Sequence, residues 1–132
     1  MKTIAEFFYQ CIPPTTTAQQ QGYRRYKTPK KKYAEAFWES VFKQYAPNSP
    51  ATNAVTLEIT VSFPLTKLQA RQGISITPRT AKPDVDNYAK LILDAMTKTG
   101  YFNDDNQVYD LRITKYHSAL PGIAVTLKEQ LT

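Results

Sequence analysis

All six aspartates of the chain fall between Asp84 and Asp110. Asp84 and Asp86 straddle an expected helix start, where carboxylates accept hydrogen bonds from free backbone N–H groups. Lys90 follows Asp86 by four residues, about 6 Å along a helix axis and on the same face. Asp94 extends that row by four more, and Asp104 and Asp105 come after Gly100, just before the next strand. Two chemistries fit this pattern. In the local one, Asp84 and Asp86 cap a helix, Asp86–Lys90 is a surface ion pair worth about 0.3 kcal/mol, and Asp104-Asp105-Asn106 is turn chemistry. In the other, the carboxylates hold Mg²⁺, a hard ion that takes oxygen donors, keeps several waters, and sits beside a phosphate on two or three carboxylates. Spacing alone leaves both open.

Other site chemistries are poorly supplied. There is no His/Cys set for zinc, and the lone His117 falls on an expected strand as a surface residue. The single Cys11 excludes an internal disulfide framework and reads as a small packing residue beside a strand. No Gly-rich phosphate loop is present. No apolar run approaches the roughly 20 residues of a membrane-spanning helix. Met1 to Tyr9 lacks a signal-peptide layout, so a cytosolic protein is the simplest reading.

Charge is unevenly distributed. The net charge is +6 over 132 residues. Residues 1–82 contribute +8 and residues 83–132 contribute −2. A basic body with one carboxylate cluster suits a protein that attracts a polyanion and holds a cation against it. Arg24, Arg25, Lys27, Lys30, Lys31 and Lys32 form a basic run interleaved with Tyr23 and Tyr26, which could stack on exposed bases. Arg79 and Lys82, with Lys67 and Arg71, add cations in the 64–83 stretch. Each of these residues also reads as ordinary solvated surface.

The elements that must position these residues follow from periodicity. Ile4 to Gln10 reads as a strand ended by Pro13-Pro14. Thr28-Pro29 starts a helix whose inner row is Tyr33, Phe37, Val41 and Tyr45, with Ala34, Trp38 and Phe42 beside it. Residues 54–63 alternate as a half-buried strand stopped by Pro64, and residues 64–83 read as a long loop. Asp84 to Thr99 is the second helix, ended by Gly100. Strands around Tyr109–Ile113 and Ile123–Leu127 are expected to pair as an antiparallel hairpin. The expected fold is one α+β domain over residues 1–132, in β-α-β-α-β-β order, with two helices on a mixed sheet.

The run D-V-D-N-x-x-K from Asp84 to Lys90, followed by L-D-A-M-T-K-T-G-Y-F-N-D-D-N-Q-V from Leu93 to Val108, closely resembles the RusA family of Holliday-junction resolvases. These are small bacterial and phage endonucleases. The resemblance is specific because D-x-D-N, the helix, A-x-T-K-x-G and D-D-x-Q-V recur together in order. It implies that Asp84, Asp86 and Asp105 are the essential acids, holding Mg²⁺, and that Lys90 is the essential cation. Asp94 and Asp104 occupy motif positions with less defined roles. It further implies a homodimer whose two active sites cut opposite strands of a four-way DNA junction. The long 64–83 segment departs from the compact family pattern. Two other functions fit the same residues: a non-catalytic branched-DNA-binding module, and a nuclease of flaps or plain duplex.

Overall fold

The computed structural model describes residues 1–15 and 29–131. Its elements are β1 (Lys2–Gln10), α1 (Pro29–Gln44), β2 (Val55–Pro64), α2 (Lys67–Arg71), β3 (Ile76–Pro78), α3 (Val85–Thr99), β4 (Val108–Ser118) and β5 (Gly122–Glu129). A 3₁₀ turn, Asp105–Gln107, precedes β4. The five strands form one mixed sheet in the order β1-β5-β2-β4-β3.

The alternation of β2 puts Val55, Leu57, Ile59 and Val61 into the core, while Glu58 stays exposed. Its neighbours continue those rows. Leu57, Ile59 and Val61 lie opposite Leu127, Val125 and Ile123 of antiparallel β5, and Ile59 lies beside Ile113 of parallel β4. The expected β4–β5 hairpin does not form, because β2 lies between the two strands and β5 also pairs with β1. A period of two identifies a buried face but not the partner across it. The link from Ser118 to Gly122 can stretch about 14 Å, which exceeds the roughly 10 Å between strands two apart. Gly122 permits the strand entry, since a Cβ there would stand 2.6 Å from the Tyr9 carbonyl oxygen and 2.4 Å from Cζ of Phe8.

Helices α1 and α3 pack on each other and bury their apolar stripes in the same core as the inner sheet face. The buried stripe of α1 is Ala34, Trp38, Val41 and Phe42. Tyr33 and Tyr45, expected in the inner row, are exposed at 65% and 38%. A strict four-residue row drifts about 40° around the axis per step, so its ends leave the face its middle buries. Tyr45 instead stacks on Phe7 of β1, with ring centroids 4.2 Å apart. On α3 the buried side chains are Asn87, Tyr88, Leu91, Ile92, Ala95 and Met96. Gly100, at φ 90°, ends the helix in the left-handed conformation that favours glycine. An ion pair of 3.2 Å between Lys98 and Glu39 ties α3 to α1.

The 64–83 stretch is not a bare loop. A capping box between Thr66 and Gln69 starts α2, and β3 adds a short edge strand against β4. Among the described residues, no helix is long and apolar enough to cross a membrane.

Candidate active site

The chain reaches α3 through a segment that two cations hold in place. Lys115 on β4 donates from Nζ to the carbonyls of Ala81 (2.9 Å) and Pro83 (2.7 Å). Arg79 donates from its backbone N–H to Lys115 O and from Nη2 to Lys82 O, at 3.0 and 2.8 Å. Its guanidinium lies 4.0 Å over the Phe63 ring. On the other side, the Tyr88 hydroxyl donates to Pro14 O at 2.9 Å, bringing the segment after β1 against the first turn of α3.

Asp84 takes the N-cap position with extended backbone (φ −73°, ψ 160°), but its side chain makes no capping hydrogen bond. The carboxylate therefore stays available at a helix end that favours negative charge. Asp86, in the first helical turn, is likewise exposed. Neither a hydrogen bond nor an ion pair joins Asp86 to exposed Lys90, so the local ion-pair reading of that spacing does not describe the structure. Asp94 continues the row and is also exposed.

The second group of carboxylates sits on the turn after α3. Tyr101 and Phe102 are fully buried, and a bridge from Phe102 to Ala51 anchors the chain there. Asp104 caps the 3₁₀ turn by accepting from Asn106 N at 2.8 Å. Gln107 completes a capping box: its Oε1 accepts from Asn103 N (2.8 Å) and Asp104 N (3.0 Å). Asp105 is exposed, and its carboxyl pKa is raised. The main cause is a hydrogen bond with the Asp104 side chain; slight burial and the charges of Asp104 and Asp94 add to it. Asp94, Thr97, Lys98, Asn103, Asp104 and Asp105 line a shallow cleft of about 300 Å³.

The structure thus brings Asp105 together with Asp104 and Asp94, while Asp86 lies about 12 Å further back along the helix axis from Asp94. Lys90 stands midway between them. Among the described residues, no group of three or more His, Cys, Asp or Glu side chains stands close enough to hold a metal ion. Mg²⁺ needs no such cage, because one or two carboxylates, waters and substrate phosphate oxygens complete its shell. The donor set fits that ion: exposed carboxylates with hard oxygens, one uncommitted at a helix end and another crowded by like charge.

Of the basic residues singled out above, Lys32 on α1 and Lys82 are exposed. Arg79 serves the approach to α3 through Phe63 and Lys82 O. Arg24, Arg25 and Lys27 lie outside the described residues, as do the side chains of Lys30 and Lys31. Burial pushes the Cys11 thiol up to about 11, which leaves it protonated and unreactive at neutral pH. His117 is half-buried, with Nδ1 3.0 Å from Pro64 O. The sequence gives no sign of Lys115, and it shows Gln107 only as a motif position without a role, because their distant partners are backbone carbonyls.

The fold and site define a basic α+β domain with carboxylates and the lysines Lys90 and Lys98 along an exposed helix face. The sequence matches the family model Endodeoxyribonuclease RusA over residues 12–128, and the chain belongs to that family. It is similar to a protein of Bacillus subtilis (strain 168) known as YqaN and described as uncharacterized. The two are 34% identical over 109 residues, covering 76% of this chain and 75% of the relative. It is also similar to a crossover junction endodeoxyribonuclease, rusA, of Lactococcus phage r1t. That match is 28% identical over 129 residues, covering 94% of this chain and 97% of the relative.

Proposed function

We propose that the protein is a Mg²⁺-dependent endodeoxyribonuclease that resolves four-way DNA junctions by paired phosphodiester hydrolysis, in recombination and repair. The observation that carries this reading is the uncommitted carboxylate of Asp84 at the start of an exposed Asp86–Lys90–Asp94 row, in a RusA-family chain. The phage relative's name supports the junction as substrate.

Asp84, Asp86 and Asp105 are the residues that would hold Mg²⁺; they do not stand as one cluster of three, so waters and substrate phosphate oxygens would complete the shell of an ion held by one or two of them. When bound, the ion supplies Lewis-acid polarisation of the scissile phosphate and a more acidic water. Lys90, exposed and unpaired with Asp86, offsets negative charge that develops on the phosphate oxygens, or passes a proton to the leaving oxygen. The crowding of Asp105 by Asp104 and Asp94 favours a cation beside them, since it relieves like-charge repulsion. Lys32, Lys82 and the basic run at 24–31 attract the DNA backbone and fix its position without reading sequence. A homodimer acting in the cytoplasm would present two such centres to opposite strands.

A synthetic four-way junction, a flap and a plain duplex, each incubated with the protein in Mg²⁺ or EDTA, test the reading. Junction cleavage in Mg²⁺ alone, with symmetric nicks in opposing strands, is the expected result. Junction binding without cleavage in Mg²⁺ identifies a binding module instead, and preferential flap or duplex cleavage identifies a different nuclease.

A further inference from the structure

Asp105 does not hold its own turn in place. That work falls to Gln107, two residues on, whose amide uses its full hydrogen-bonding capacity of two donors and two acceptor lone pairs. Oε1 accepts from Asn103 N and Asp104 N, at 2.8 and 3.0 Å, within the turn. Nε2 donates to Ala51 O at 2.8 Å and Asn53 O at 3.0 Å, in the segment leading into β2. That segment is secured from its far side. Glu129 Oε2 accepts from Thr52 N (2.7 Å) and Asn53 N (2.9 Å), and Ala51 N donates to Tyr101 O (2.9 Å). One amide thus couples the acidic turn to a backbone segment fixed to the end of β5.

We infer that Gln107 is a positioning residue for phosphodiester cleavage: it locks the 103–106 turn to residues 51–53, so that Asp105 keeps its place beside Asp94 on α3. The inference rests on the reading that Asp105 belongs to the nuclease centre. Three of the four amide bonds, to Asn103, Asp104 and Asn53, reach exposed or half-exposed backbone where water can replace the missing partner, and only Ala51 O is buried, so the fold survives removal of the side chain. What is lost is the placement of one carboxylate. A misplacement of about 1 Å at a reacting centre can cost on the order of 100-fold in rate.

The test uses the full chain carrying Gln107→Leu, which keeps the volume and removes all four bonds. Gln107→Glu is the second variant; it keeps the acceptors toward Asn103 and Asp104 but sets oxygen against the two carbonyls. Three quantities are measured: junction binding in EDTA, single-turnover cleavage at saturating junction, and ¹⁵N relaxation of the 103–106 amides without metal. Binding within twofold of wild type, cleavage reduced by about tenfold or more, and raised mobility confined to that turn are expected in both variants. If Gln107→Leu fails to fold, Gln107→Glu carries the same comparison. Cleavage at the wild-type rate with a loosened turn overturns the inference, and so does lost cleavage with a turn as rigid as wild type. Asp105→Asn, run in parallel, separates the two levels. If it cleaves normally, the reading of the centre fails and takes the inference with it. If it is inactive while both Gln107 variants match wild type, the positioning role alone fails.

Discussion

Replacing Lys115 with methionine would release the segment that delivers Asp84 to the start of α3. Lys115 contributes two charge-assisted hydrogen bonds, a half-buried one to Pro83 O at 2.7 Å and an exposed one to Ala81 O at 2.9 Å. A hydrogen bond to a charged group contributes about 1.5–3 kcal/mol when shielded and less when water can replace it. Most of the effect therefore comes from the Pro83 bond, for a total near 2 kcal/mol. Unfolding entropy of about 2.1 cal/mol/K per residue converts this to a fall of roughly 7 °C in Tm for a chain of this length. Cleavage should fall further than stability explains, by about tenfold or more, because Asp84 directly follows Pro83 and moves with it. Urea and thermal melts give the first quantity, and single-turnover cleavage well below the melting range gives the second. Lys115→Arg, which keeps charge and donors, should recover most of both. A Tm within 1 °C of wild type together with full cleavage would refute this account of how the helix start is held.

Lys90→Ala should slow the chemical step about tenfold or more at unchanged junction affinity; equal single-turnover rates would reduce it to a surface lysine. Neutralising Lys30, Lys31 and Lys32 together should weaken junction binding and lower the salt slope by about one for each phosphate no longer neutralised, read from affinities across a salt series. The carboxyl of Glu129 is held below the usual 4.5 by the N–H groups of Asn53 and Thr52. A depressed folded-state pKa stabilises the fold above the unfolded value and ceases to do so as pH falls through the folded value. Wild type should thus lose part of its stability advantage over Glu129→Gln below about pH 4.5, and parallel pH–Tm curves for the two proteins would contradict this.

Element types were legible in the sequence because burial imposes a period: two in β2, and 3.6 in α3 with its glycine stop. Pairing was not legible. The strands around Tyr109–Ile113 and Ile123–Leu127 read as a hairpin, yet β5, with its apolar inner face, lies between β1 and β2. The α1 stripe was displaced for a related reason, since aromatic residues at its ends counted as core when only Trp38 and Phe42 are. At the site, the acidic positions were recognisable by motif, but their division of labour was not. Asp104 and Asp105 are adjacent, identical in type and both exposed, and only the folded turn separates the one that caps it from the one that does not. Gln107 stood in the D-D-x-Q-V motif without a readable role, and Lys115 stayed hidden, because both act on backbone carbonyl or amide groups, which carry no side-chain signature.

Asp86→Asn, assayed for junction cleavage in Mg²⁺ and for junction binding in EDTA, tests the central claim most directly. The substitution keeps size and hydrogen-bonding shape while removing the charge that would hold the ion. The account predicts cleavage lowered by at least about 100-fold, the scale of removing a main electrostatic contributor, with binding within twofold of wild type. Cleavage at the wild-type rate would contradict it.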